Sequence, residues 1–319
     1  EVKNYAEQKP NRTLLGWPFY VALYNMVDPV KELERDLKRD KKLLAKNQQR
    51  MAKGKKIKTN PFYFSRWWRN SVGEAPVIYN ARSIPESKVS MNGYLRNLGY
   101  YYSDILDSIQ LDKERKRVTV FYQVHEGWPY KYADFKTKVK DDRVNALIHN
   151  NQELNFPDTQ SLFNAYELDE LRYKISEYLQ NNGYYGFGPE QIVYYADTLV
   201  NTKKVHVKMD IYSSAPTADS TVDSDHIRAY KFENISVLNY PYKLEDIKTL
   251  SLQTNYYGKD SIPFHYYKRL TFRPHLLQRR LDIKKDSLYS SEDISRSMRA
   301  INGLGIFRAV NFKIKPSPG

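Results

Sequence analysis

The residues best able to hold a metal or pass a proton at neutral pH are six histidines: His125, His149, His206, His226, His265 and His275. No two of them stand four apart, the spacing that places two imidazoles on one helix face around a zinc ion. His206 falls on the polar side of an alternating stretch, where it reads as a solvated residue. There is no cysteine, which excludes a disulfide, a thiolate metal site and a thiol nucleophile. Gly183–Glu190, GYYGFGPE, contains a loose GxxGxG pattern. A nucleotide loop follows a strand and opens a helix; this stretch follows a helix and opens a strand, so it reads as a turn. The paired carboxylates Asp141 and Asp142 sit at a helix start, where negative charge suits the dipole. No GxSxG motif or Walker lysine is present. No catalytic constellation emerges, so neither enzyme activity, cofactor nor metal is expected.

What does recur is a corner. Tyr94–Tyr101 reads YLRNLGYY and Tyr178–Tyr185 reads YLQNNGYY, 84 residues later. Aligning Gly99, Gly183 and Gly305 brings a helical pattern in front of each. In the second, Leu168, Leu171, Ile175, Tyr178 and Leu179 share a face; in the third, Ile294, Met298 and Ile301 do. The first carries Met91, Leu95 and Leu98, with Ser83 and Pro85 near its start, and Ser290 with Asp293 suggests a capping box for the third. Each glycine suits the left-handed conformation that closes a helix. An apolar or aromatic pair follows, then an expected strand: Tyr101–Ile109, Gln191–Asp197 and Phe307–Ile314.

After the first two of these strands come polar turns, Leu111–Lys116 and Val200–Lys204, and return strands. Val205, Val207, Met209 and Ile211 alternate with His206, Lys208 and Asp210, and Val118, Val120, Tyr122 and Val124 repeat the period. Such strands belong to a sheet packed on one face and wet on the other. Tyr130–Val139 and Arg228–Leu238 read as opening strands, and Asp141–Asn150 as a short first helix. The unit is strand, helix, helix, strand, strand, in which a helix pair must cover one sheet face. His125–Tyr130 joins the first two units, and the polar stretch Ser213–His226 joins the second and third.

The net charge is +14, and the 28 tyrosines suit half-buried sheet faces. Lys31–Lys58 holds twelve Lys/Arg against four Asp/Glu, so +8 of the excess sits in one segment. Lys31–Met51 reads as an extra helix, either a solvated projection or a surface for anionic lipid or a partner. Phe62–Asn80 is the most aromatic stretch, and Trp67 and Trp68 are expected to bury a loop. The chain begins with Glu1 and has no apolar run of membrane-spanning length, as expected of a processed or excised soluble piece.

The repeated unit, with its GYY helix end and the Glu126-Gly127 and Pro129 sequence after the return strand, resembles the POTRA domain, the periplasmic repeat of the BamA/TamA outer-membrane assembly superfamily. Gln8–Asn25 (QKPNRTLLGWPFYVALYN) and Ser71–Asn80 (SVGEAPVIYN) resemble the first POTRA domain of the TamA-like (TamL) proteins of Bacteroidetes. Arg273–Pro316 resembles the last POTRA domain before the barrel. The resemblance implies an α+β chain of three tandem β-α-α-β-β domains, each a three-stranded mixed sheet under a helix pair, at 1–128, 129–222 and 223–319. The first would lack its opening strand and carry the basic insertion at 28–60; the third would lack its return strand and the β-barrel.

The implied role is a periplasmic scaffold, tethered to the outer membrane by that barrel, in a machine that assembles or translocates outer-membrane proteins. It would bind unfolded outer-membrane polypeptide by strand addition along the second strand of each domain: at Tyr101, Ser103 and Ile105, at Ile192, Tyr194 and Tyr195, and at Phe307 and Ala309. Gly99, Gly183 and Gly305 would be structural. The alternative is a docking module for a TamB-like envelope-spanning lipid-transfer partner. Nucleic acid is not an expected partner, because Val205–Ile211 lacks the stripe of aromatic and basic residues that binding would need.

Overall fold

The computed structural model describes residues 1–59, 67–199, 202–213, 227–240, 251–258, 260–267, 269–270 and 272–315. His226, all but Ser213 of the expected linker, part of the turn at Val200–Lys204 and the start of the aromatic stretch at 62–80 lie outside the described residues. Two compact units emerge, 1–96 with 102–127, and 97–101 with 128–319.

The first unit contains α1 (Phe19–Asn25), α2 (Pro29–Ala52), a π-helical turn at Trp68–Val72, α3 (Ser83–Asn97), β1 (Asp104–Asp112) and β2 (Arg117–His125). Asp28 caps α2: its carboxylate accepts the amides of Val30 and Lys31 at 2.9 and 3.3 Å. Pro29 occupies the first turn, where a missing N–H leaves no bond unmade. Glu32 and Asp36 turn inward from α2, and Glu32 meets the Arg69 guanidinium at 2.9 Å. Ile84, Met91, Tyr94 and Leu95 form the buried face of α3 and Ile105 that of β1. Tyr5 stacks on Tyr94 at 4.4 Å. Trp67, expected to bury a loop, is instead exposed. β1 and β2 pair antiparallel from Asp104↔His125 to Asp112↔Arg117, and among the described residues no third strand joins them.

The second unit begins with β3 (Lys131–Val139), α4 (Asp142–Asn150), α5 (Ala165–Asn181), β4 (Ile192–Leu199) and β5 (Lys204–Ile211). The sheet order is β3-β5-β4, with β5 parallel to β3 and antiparallel to β4. Val205, Val207, Met209 and Ile211 are all buried against the helices, as their period of two requires. Met209 and Ile211 cluster with Val144 and Ile148 of α4 and with Leu171, Ile175 and Leu179 of α5, while Val205 and Val207 cluster with Leu168, Tyr130, Tyr132 and Phe163. Asp141 caps α4 by accepting the amides of Arg143 and Val144.

The remainder contains β6 (Val237–Asn239), β7 (Leu252–Tyr257), β8 (Ile262–Tyr267), α6 (Pro274–Gln278) and α7 (Ser291–Asn302). Ser290 caps α7 by accepting the Asp293 amide at 3.1 Å. Its sheet repeats the topology of the one before, β6-β8-β7 with β6 parallel to β8. Here the structure corrects the sequence reading: Phe307–Ile314 forms no strand. The place beside β6 is taken by β8. Phe307, Val310 and Phe312 instead pack as half-buried apolar residues beside Phe264, Leu277 and Ile301.

Candidate functional site

β4 is hydrogen-bonded on one side only: among the described strands its sole neighbour is β5. The register runs without a bulge from Ile192↔Ile211 to Leu199↔Lys204. Just ahead of it, the Tyr212 amide donates to the Gln191 carbonyl at 2.9 Å. That bond fixes the phase of the ladder. In an antiparallel pair, residues exchange hydrogen bonds at every second position. Val193, Tyr195 and Asp197 therefore bond to β5. The amides and carbonyls of Tyr194, Ala196 and Thr198 point to the open edge, while the Ile192 amide is already bonded to the Pro189 carbonyl.

Side chains divide in the same rhythm. Ile192 is buried in the core, and Tyr194 is half-buried against Phe135, with ring centroids 6.3 Å apart. Burial pushes the Tyr194 phenol up. Tyr195 is exposed; its hydroxyl lies 3.1 Å from that of Tyr212, and the Lys208 ammonium stands 5.3 Å from its ring centroid. The bond to Tyr195 and the nearby Asp210 carboxylate push the Tyr212 phenol up to about 12.

The other expected contact residues are dispersed. Ile105 is fully buried, and Ser103 precedes β1, its hydroxyl bonded to the Asn92 side chain at 2.9 Å. Phe307 packs edge-on against Phe272 at 5.0 Å, and Ala309 is exposed but lies in no strand. Of the residues expected along the binding edges, only Tyr195 has an exposed side chain on a paired edge strand. At such an edge the main chain, rather than the side chains, is the available surface.

Tyr101 belongs instead to a second construction, which also accounts for the sequence repeat. The segment Asn97–Tyr101 lies in the second unit. There the Gly99 carbonyl accepts the Tyr130 amide at 3.0 Å. The Tyr130 carbonyl accepts the Phe163 amide, and Tyr132 exchanges backbone bonds with Ser161 and Gln160. Tyr101 meets Tyr130 edge-on at 4.9 Å.

The arrangement recurs residue for residue at the next corner. The Gly183 carbonyl accepts the Tyr230 amide at 2.7 Å, the Tyr230 carbonyl accepts that of Tyr289, and Phe232 exchanges bonds with Ser287 and Asp286. Tyr185 meets Tyr230 and Tyr289 edge-on at 5.9 and 5.1 Å. Each Gly-Tyr-Tyr corner thus receives a Tyr-Lys-aromatic segment, Tyr130–Tyr132 or Tyr230–Phe232, held by a Ser-Leu-aromatic segment. Gly99 and Gly183 have φ of +84° and +104°, and a Cβ on either would lie within 3.1 Å of a neighbour. Gly305, at φ +65°, has open space around it. The sequence signal for this socket was present in the paired Tyr-Lys-aromatic and Ser-Leu-aromatic stretches, which the corner glycines alone did not reveal.

Three of the histidines have structural partners. His206 lies 2.9 Å from the Asp134 carboxylate, a pairing rather than free solvation, and that contact holds Asp134 below the usual carboxylate range. His149 is held by Asn145 and Thr137, and His265 by Thr254. The Gly188 amide donates to the Gln191 side chain at 2.8 Å, making GYYGFGPE the turn that opens β4. Among the described residues no cluster of His, Asp or Glu is arranged to hold a metal.

Residues 52–127 match a family model described as POTRA, surface antigen variable number repeat. No curated protein matches the chain. Among solved structures, the chain is similar to POTRA3-5 of Haemophilus influenzae BamA, with 14% identity and a TM-score of 0.37 over 74% of this chain and 75% of that one. It is also similar to POTRA1-3 of the periplasmic domain of Omp85 from Anabaena, with 14% identity and a TM-score of 0.22 over 76% and 79%. A third is the N-terminal domain of Omp85 from Thermosynechococcus elongatus, with 12% identity and a TM-score of 0.22 over 76% and 80%.

Proposed function

We propose that this chain is a periplasmic scaffold of an outer-membrane protein assembly or translocation machine, and that it holds unfolded outer-membrane polypeptide by strand addition at β4. The open edge of β4 carries this reading. It offers three successive outward positions, Tyr194, Ala196 and Thr198, at the two-residue repeat an added strand uses. Affinity then comes from the main chain, which suits clients of varied sequence. The POTRA match at 52–127 supports the same class of protein.

Ala196 provides the test. Its amide faces the open edge and its side chain is small and exposed, so Ala196→Pro removes a donor and obstructs pairing without touching the core. Titration of a labelled peptide from an outer-membrane barrel strand should show capture by the parent chain. Ala196→Pro should weaken it about tenfold or more, one or two main-chain bonds being lost. If the variant folds and captures the peptide as the parent does, strand addition at β4 is excluded. Docking of a TamB-like partner then becomes the reading to pursue.

A further inference from the structure

A surface unrelated to the β4 edge lies along α2. Leu33, Leu37, Leu44 and Met51 follow one another at intervals of four, seven and seven residues, which sets them on one helical stripe. They are 56%, 52%, 64% and 67% exposed, so none of the described residues packs fully over them. The fold also sorts the charges. Of the four acids in Lys31–Lys58, Glu32 and Asp36 are buried, leaving Glu34 and Asp40 beside twelve basic residues, eleven of them exposed.

A returning segment adds to the same surface. The Asn47 side chain accepts the Lys58 amide and donates to its carbonyl, both at 2.9 Å, and Arg50 donates to the Lys56 carbonyl at 2.8 Å. This pins Lys55, Lys56, Lys58 and the exposed Ile57 beside the helix. Lys41 stands on the stripe between Leu37 and Leu44.

We propose that α2 and the returning segment dock on an anionic lipid surface, the stripe entering the headgroup boundary while the lysines meet lipid phosphates. A helix with a narrow leucine stripe and a Lys/Arg-rich polar face is suited to lie in a membrane interface. The stripe is convex and one side chain wide, with no groove to grip a peptide, whereas a deformable lipid surface accepts that shape. A nucleic acid would answer the lysines but leave the leucines in water. The helix lies on the surface rather than crossing it: among the described residues no helix is long and apolar enough to span a membrane.

The test is flotation of the full chain with vesicles of phosphatidylglycerol and phosphatidylcholine, against phosphatidylcholine alone. Binding is expected only to the anionic vesicles and should weaken as salt screens the lysines. Lys38→Gln, Lys41→Gln and Lys55→Gln should each lower the binding constant about fivefold. Leu37→Ser with Leu44→Ser should abolish flotation while leaving the circular dichroism of the chain unchanged, since both side chains are exposed. Failure to bind anionic vesicles at low salt overturns the proposal, as does equal binding to neutral ones. So does binding that survives the leucine pair, which would reduce the contact to charge alone, or preferential capture of duplex DNA over vesicles.

Discussion

The Tyr230 amide donates to the Gly183 carbonyl at 2.7 Å, and around that bond a Cβ on Gly183 would stand 3.1 Å from Leu288 and 3.3 Å from Ala229. The glycine is required twice over, by its backbone conformation and by the closeness of the segment it receives. Gly305 meets only the first requirement.

Gly183→Ala should therefore cost more than Gly305→Ala. We expect about 2–3 kcal/mol for the first, combining left-handed strain with a forced shift of Leu288, and about 1 kcal/mol for the second. Urea melts of the two variants check this. Equal losses would mean that the socket relaxes around the new methyl group.

Proline scanning of β4 should read out its ladder phase. Val193→Pro and Tyr195→Pro remove donors that bond to β5 and should each destabilise the repeat by about 2–3 kcal/mol. Ala196→Pro removes a donor facing the open edge and should cost about 1 kcal/mol or less. Thermal melts that ranked the three the other way would place the open edge on the opposite set of amides.

Burial raises the phenol pKa of Tyr132 to about 12, and moves those of Tyr101, Tyr184, Tyr194 and Tyr289 in the same direction. The folded chain then keeps protons that the unfolded chain releases above about pH 10. Stability is unaffected below that pH and falls as pH rises from about 10 through the folded pKa values. Tyr132→Phe should make the alkaline loss shallower. At neutral pH it should cost no more than about 1 kcal/mol, for the 3.3 Å bond to the Asn164 carbonyl. Unfolding midpoints measured across that alkaline range test the sign and the slope.

Arg69 answers a carboxylate that the fold has buried, Glu32, at 2.9 Å, and its guanidinium also lies 5.1 Å from the Tyr24 ring centroid. Arg69→Met leaves that carboxylate without its partner and should destabilise the first unit by about 3 kcal/mol. Adding Glu32→Gln to Arg69→Met should recover part of the loss. A double variant less stable than Arg69→Met alone would show that the carboxylate is held by something other than the pair.

Local rules were enough for the parts of this fold that local chemistry decides. The period of two along Val205–Ile211 turned four apolar side chains inward, because successive strand residues face opposite sides whatever the partner. The corners closed on positive-φ glycines at Gly99 and Gly183, and Ser290 capped α7, because each depends only on a few neighbouring residues. Strand partnership does not. Phe307–Ile314 has the composition of a strand yet forms none, and β8, unremarked in the sequence, takes the position beside β6. Ile192, Tyr194 and Tyr195 were expected as three contacts; the fold buries the first and ties its amide to the Pro189 carbonyl, and it half-buries the second while opening its backbone to the edge. The sequence by itself thus determined faces, corners and caps. Which strands pair, which amides remain free and which acids of α2 turn inward were decided only by tertiary structure, since each depends on groups that meet from distant parts of the chain.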